Sequence, residues 1–184
     1  GVSTTNDKLI ITNVARQQST ERDVPLRESR EMVPSMFPIE PGFEPSPAWG
    51  EEIVFDAPAN PHNPMMDARG RVWLTSTVRR RENPDWCRDG STHPSAVYFP
   101  IPSSGRQISA YDPERQTWLL IDSCYATHHL QFGEDENDTL WFSGDANVVG
   151  WLDTKMFDDT GDERAAQGWC PTVIDTNGDG VITV

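Results

Sequence analysis

The sequence predicts an all-β protein, and three observations support this fold class. The chain has 184 residues with 13 Gly, 15 Pro and 7 Trp but only 36% hydrophobic residues, which suits short strands and turns better than long helices. From residue 51 onward, short runs of β-branched and aromatic residues alternate with turn sequences. A similar series of such runs occurs twice, which predicts about two four-stranded antiparallel blades of a β-propeller behind an extended N-terminal arm.

The predicted arm covers residues 1–50. Six prolines lie between Pro25 and Pro47, the charges are mixed, and hydrophobic periodicity is weak apart from the run 9–11. Residues 51–184 are expected to contain the two blades, as part of a larger propeller. Their predicted strands are 53–55, 72–75, 108–111, 118–121, 140–142, 148–152 and 173–174.

The two copies share a spaced pattern. A short hydrophobic run ends at Asp56 or Asp122, and a histidine, His62 or His128, follows six residues after each aspartate. Each histidine leads to a turn and then to a second strand that contains a tryptophan. A third closing strand is expected before Asp175, so that each interval between these aspartates holds four strands, the number in a propeller blade.

The second-strand tryptophans, Trp73 and Trp141, are predicted to lie in the core between blades. Two insertions interrupt the pattern, at 78–105 and at 155–168. Loops longer than about 12–15 residues are often functional or disordered. The polar stretch 158–167, with a glycine inside it, is expected to be a loop or a single turn.

The strings Pro61–Thr75, His128–Phe132 and Leu140–Ser143 resemble the repeat of streptogramin lyase (virginiamycin B lyase)-like propellers. They resemble SMP-30/gluconolactonase and NHL-repeat propellers more loosely. The resemblance covers residues 51–175. It implies a propeller with further blades, and an activity in which a histidine, carboxylates and a divalent cation open a lactone or ester.

The candidate catalytic residues are His62, His128 and His129. The first and second precede the innermost strand of a blade, at a place that borders the central channel of propellers. Together with Asn63 they could supply a metal ligand, a general base near pH 7 or hydrogen bonds to a substrate. The alternative is structural, with each histidine capping a strand end. His93, in the first insertion, is expected at the surface.

A candidate calcium site lies near the end of the sequence. Asp175, Asn177 and Asp179 provide oxygens at the first, third and fifth positions, and Val181 provides a carbonyl at the seventh, as in the opening of an EF-hand or dockerin-type calcium loop. The alternative is a plain Asp/Asn/Gly turn. Calcium is therefore the expected cofactor, with another divalent cation at the channel.

Charge and cysteine content limit the partners and the compartment. The net charge of −14 argues against nucleic acid, and no continuous apolar stretch is long enough for a membrane span. Cys87, Cys124 and Cys170 have no zinc-site spacing, so one disulfide with a free thiol or three free thiols are both open. We expect a periplasmic or secreted protein that pairs with the remaining blades, from the same protein or another chain, and binds a small molecule.

Two functions remain at this stage. The first is a metal-assisted lyase or hydrolase within an extracytoplasmic propeller. The second is a calcium-stabilised, non-catalytic binding or scaffolding propeller in which the insertions 78–105 and 155–168 make the contacts.

Overall fold

The computed structural model describes residues 1–4, 6–35, 47, 50, 56–144, 147–172 and 177–181. Its strands form three antiparallel sheets and its helices are short, which confirms the predicted all-β class. The chain divides into two compact units. The first comprises residues 1–80 and 108–120, and the second comprises residues 81–107 and 121–184. Among the described residues, no helix is long and apolar enough to cross a membrane.

The first unit begins with a three-stranded sheet in the order β1-β2-β3. For residues 1–23 this corrects the predicted extended arm. The strands escaped prediction because Leu9 is the one residue of β2 that is buried, so the sequence carries almost no alternating hydrophobic face. Its strands are β1 (Val2–Ser3), β2 (Lys8–Asn13) and β3 (Gln18–Asp23).

A four-stranded sheet in chain order completes the first unit. Leu9 and Val24 pack with Leu74 and Tyr111 in one hydrophobic core, so the two sheets of this unit share an interior. The strands agree with the predicted runs to within a residue or two where both exist; the predicted strand at 53–55 lies outside the described residues. They are β4 (His62–Met66), β5 (Val72–Ser76), β6 (Gln107–Asp112) and β7 (Thr117–Ile121).

The second unit contains the other four-stranded sheet, again in chain order. Its fourth strand is at Gln167–Pro171, earlier than predicted, and the predicted strand 173–174 lies outside the described residues. Tyr125 is fully buried beneath this sheet and lies against Gly150, where any side chain would collide with the ring. The strands are β8 (His129–Phe132), β9 (Thr139–Ser143), β10 (Val148–Asp153) and β11 (Gln167–Pro171).

The second insertion contains a helix, α2 (Thr154–Thr160), and the stretch 158–167 that was predicted as a loop or single turn overlaps only its last three residues. Asp153 caps its start by accepting a hydrogen bond from the backbone N–H of Met156 at 2.7 Å. Gly161 ends the helix in the left-handed conformation, with φ of 68°. The helix is absent from the predictions because its apolar residues are few and its cap, not its periodicity, defines it.

The first insertion is built into the second unit. A 3₁₀ turn (Asp85–Cys87) and a short helix, α1 (Pro94–Tyr98), lie in this segment. Cys87 and Cys124 form a disulfide, and Cys170 is an exposed free thiol, so the first of the two cysteine alternatives applies. The buried Asn83 adds a second link, because its side-chain amide donates to the carbonyl oxygens of Ile101 and Cys124.

Candidate functional site

His62 begins β4 in the first unit and pairs with Thr75 of β5. The hydroxyl of Thr75 donates to the His62 carbonyl oxygen at 3.2 Å. The ladder register shifts between His62 and Met65, and Asn63 has a positive φ of 46°. This irregularity is a β-bulge, a feature that often redirects a side chain at a functional site.

His128 and His129 lie at the start of β8 in the second unit. The backbone N–H of His128 donates to the Ser143 carbonyl at 3.0 Å, and that of His129 contacts the Ser143 hydroxyl at 3.2 Å. Their imidazole rings stack with centroids 4.3 Å apart and an interplanar angle of 19°. Successive strand residues normally point to opposite faces, but His128 precedes the strand, so both rings can turn to one side.

Strand pairing in the two four-stranded sheets shows a different correspondence between the histidines from the one that sequence spacing predicts. Counting along the sequence matches His62 with His128. In the sheets, His62 pairs with Thr75, two residues after Trp73, while His129 pairs with Ser143, two residues after Trp141. The bulge in β4 accounts for the extra residue, so His62 and His129 hold the same ladder position within their own sheets.

The stacked pair has the chemistry of a partial metal site. A neutral imidazole offers one nitrogen lone pair, and the ring nitrogens of His128 and His129 lie within 4.8 Å of one another. Zinc–nitrogen bonds are about 2.0–2.1 Å long, so one cation would bind both residues once the rings rotate out of the stack and direct their lone pairs at it. Imidazole suits zinc, copper, iron and nickel, whereas calcium prefers oxygen. The pair therefore fits a transition-metal cation.

The predicted calcium loop is described in part. Asp175 lies outside the described residues, and Asn177, Asp179 and Val181 form an exposed, hydrogen-bonded turn. The Val181 N–H donates to Asp179 at 2.8 Å, and the Asn177 amide donates to the same carboxylate at 2.8 Å. These bonds, that of Val181 first, lower the pKa of Asp179. The residue types fit calcium, but the turn is also satisfied by its own hydrogen bonds.

His93 is buried, which corrects its predicted place at the surface. Its Nε2 lies 3.1 Å from the Gln167 carbonyl and 3.2 Å from the Arg164 carbonyl, and its Nδ1 accepts from the Ser95 N–H. The ring also stacks on Trp169, with centroids 4.7 Å apart. Burial lowers the pKa of His93. This histidine fastens the first insertion to β11.

The two second-strand tryptophans differ in exposure. Trp73 is fully buried as predicted, and its indole N–H donates to Asp67 at 2.9 Å. Trp141 is 41% exposed, so its predicted place in the core is wrong. It lies directly opposite Trp151 on β10, with ring centroids 5.7 Å apart.

Glycines make room for this exposed tryptophan pair. A Cβ on Gly168 would lie 2.3 Å from the Trp151 ring, and a Cβ on Gly133 would lie 2.9 Å from Trp141. Gly168 is also the cross-strand partner of Trp151. A tryptophan opposite a glycine is the sequence signal that could have located this surface, but the pairing is known only once the register is known.

The chain was compared with protein-family models, with curated proteins and with solved structures, and none of them matches it.

Proposed function

We propose that this chain forms part of an extracytoplasmic β-propeller that binds a divalent transition-metal cation through His128 and His129. The propeller acts as a lyase or hydrolase on a lactone or ester. The observation that carries the proposal is the stacked pair of adjacent imidazoles at the start of β8, where His128 precedes the strand and both rings can turn to one side.

The propeller architecture is supported by the two four-stranded antiparallel sheets, each in chain order. It is also supported by a turn that both sheets use between their first and second strands. Asp67 accepts from the N–H of Arg71 at 2.8 Å, and Asp135 accepts from the N–H of Thr139 at 2.9 Å. Propellers need about four to eight blades, so the remaining blades come from the same protein or from another chain.

The disulfide between Cys87 and Cys124 supports a periplasmic or secreted location. Disulfides persist in oxidising compartments and are rare where glutathione and thioredoxin keep thiols reduced.

The chemistry of the pair defines the role of each histidine. His128 and His129 would hold the cation, which would supply Lewis-acid chemistry toward the carbonyl oxygen of an ester or lactone. His62 holds the same ladder position as His129 within its own sheet, so it is the corresponding candidate ligand of the first unit. The exposed His129 and half-buried His128 leave the pair open to a small molecule.

Calorimetric titration of the purified protein with Zn²⁺ tests the proposal. The double variant His128→Ala/His129→Ala is expected to lose at least about tenfold in affinity, because each imidazole contributes one ligand bond. Gln131→Ala is the matched control, since Gln131 is an exposed residue of the same strand. His62→Ala tests the candidate ligand of the first unit separately.

Thermal unfolding of the same variants separates binding from a capping role. An unchanged Tm with lost Zn²⁺ binding supports a ligand role. A lowered Tm with unchanged Zn²⁺ binding would show that the histidines only cap strands, and the metal site would be abandoned. Hydrolysis of a lactone panel by the zinc-loaded protein then tests the reaction class.

A second candidate is a calcium-stabilised binding or scaffolding propeller. It is favoured by the first insertion, which is fixed to the second unit by Cys87 and His93 and carries the exposed Val97 and Tyr98 on α1. Calcium titration monitored by Tm distinguishes the two, because this candidate predicts stabilisation by Ca²⁺ that is lost in Asp179→Asn.

A further inference from the structure

The second unit exposes aromatic rings at a surface that the proposed metal site does not use. Trp141 and Trp151 form a cross-strand pair, and each ring packs over a glycine, Gly133 and Gly168 respectively, where a Cβ would lie within 3 Å of it. Cross-strand aromatic pairs commonly stabilise a sheet by covering apolar surface. Here Trp141 remains 41% exposed, so the pair presents apolar ring surface outward.

Trp151 forms one wall of a hollow of about 440 Å³. The same hollow is lined by the exposed polar side chains of Asp162, Arg164 and Thr92. The Arg164 guanidinium donates to the Thr92 hydroxyl at 2.9 Å, which holds it at the rim. An indole wall beside fixed donors and acceptors is the composition of a small-molecule site that both stacks and hydrogen-bonds its ligand.

A second hollow, of about 600 Å³, adjoins the first and shares Thr92 and Arg164 with it. Its aromatic residue is Trp86, and its carboxylates are Asp85 and Asp89. The segment that carries them is anchored at Cys87 by the disulfide and at Ser91, whose hydroxyl donates to the Trp86 carbonyl at 2.7 Å. Two hollows with one tryptophan each therefore lie on either side of the Arg164–Thr92 contact.

The side chains limit the ligand class. Sugar rings present a C–H face that stacks on indole and a rim of hydroxyls that bond to carboxylates and guanidinium. Three aspartates against one arginine, on a chain with net charge −14, oppose uronic acids and sulfated sugars. Two adjacent hollows have room for more than one sugar ring. The ligand that fits is a neutral oligosaccharide.

We propose that the second unit binds a neutral oligosaccharide, with one sugar stacked on Trp151, another beside Trp86, and Arg164 donating hydrogen bonds between them. This site does not depend on the metal proposal, because neither His128 nor His129 lines either hollow. It gives the protein an anchoring function on a glycan.

The experiment is a calorimetric titration of the full chain with four neutral tetrasaccharides, namely maltotetraose, cellotetraose, mannotetraose and xylotetraose. At least one is expected to bind with a dissociation constant on the order of a millimolar or below. Trp151→Ala should weaken that binding about tenfold, whereas Trp151→Phe, which keeps an aromatic ring, should weaken it less.

Arg164→Gln supplies a second variant at an exposed position, and it too should weaken binding while leaving Tm and Zn²⁺ affinity unchanged. Trp118→Phe, in the first unit, is the matched control and should bind as the wild type does. Absence of binding to all four tetrasaccharides overturns the proposal. Tighter binding of tetragalacturonate, an acidic sugar, would also overturn it.

Discussion

The two four-stranded sheets use the same aspartate turn in different surroundings. In the first, Asp67 is buried, forms a 2.6 Å ion pair with Arg71 and accepts from the indole of Trp73. In the second, Asp135 is exposed and accepts hydrogen bonds from the backbone N–H groups of Asn137 and Thr139. The first sheet thus holds its tryptophan inside.

The second sheet has no such anchor for its tryptophan, and Trp141 is exposed beside Trp151. It also carries an insertion before its fourth strand, where the first sheet has only a short hairpin turn. The comparison teaches that the exposed tryptophan is in the sheet whose aspartate turn does not bind the indole. The disulfide and the buried His93 then stabilise that sheet by other means.

The largest expected effect is removal of the disulfide. Replacing Cys87 and Cys124 by serine should lower the free energy of unfolding of the second unit by about 4 kcal/mol, because the bond closes a loop spanning a sequence separation of 37. Hydrogen exchange of β11 should accelerate, while that of β5 stays nearly unchanged. Cys170→Ser is the control with no expected effect. Equal acceleration in both strands would contradict the division of roles.

A smaller loss is expected when the buried turn is broken. Asp67→Asn leaves the buried Arg71 without its carboxylate and should cost about 3 kcal/mol in urea unfolding. Burial acts to raise the pKa of Asp67, but the hydrogen bonds from Trp73 and Arg71 outweigh it and keep this pKa low.

The matched variant Asp135→Asn should cost much less, because this carboxylate is exposed and water can replace the hydrogen bonds that it accepts. If the two variants lose equal stability, then the difference in surroundings has no energetic consequence.

The smallest expected effect is on the pH dependence of stability, which should have opposite signs in the two units. Burial raises the pKa of Asp7 in the first unit from 3.8 to about 6. The protonated side chain therefore adds to the free energy of unfolding below pH 3.8, and this contribution is lost as the pH rises through about 6. Burial lowers the pKa of His93 in the second unit from 6.5. Neutral His93 therefore contributes to the free energy of unfolding above pH 6.5, and this contribution is lost as the pH falls.

Hydrogen exchange between pH 5 and pH 8, corrected for the intrinsic rate, measures both slopes in one sample. Asp7→Asn should flatten the slope of β2 and leave that of β11, whereas His93→Gln should do the reverse. Slopes of the same sign in β2 and β11 would refute the assignment.

Five strands of the two four-stranded sheets could be predicted because their hydrophobic runs are bounded by turn residues, as at Trp73 and Trp141. They are β5, β6, β7, β9 and β10. The three-stranded sheet β1-β2-β3 could not be predicted, since its strands bury almost nothing beyond Leu9. The exposure of Trp141 could not be predicted either. It follows from the neighbours that the register supplies, Gly133 and Trp151, and not from the local sequence.

The candidate histidines were found from their spacing in the sequence. Their spacing did not show which histidine of the second sheet is equivalent to His62. The β-bulge at Asn63 moves His62 to the ladder position of His129, and a bulge has no reliable signature in the sequence. His93 was misplaced because the insertion around it is polar, although its ring is held by three backbone contacts to Ser95, Arg164 and Gln167.

Anomalous X-ray diffraction from crystals of the wild-type protein grown with Zn²⁺ tests the central claim most directly. The account predicts an anomalous peak about 2.0–2.1 Å from a ring nitrogen of His128 and from a ring nitrogen of His129. A map with no peak at these rings, or with zinc bound only at Asn177 and Asp179, would contradict it.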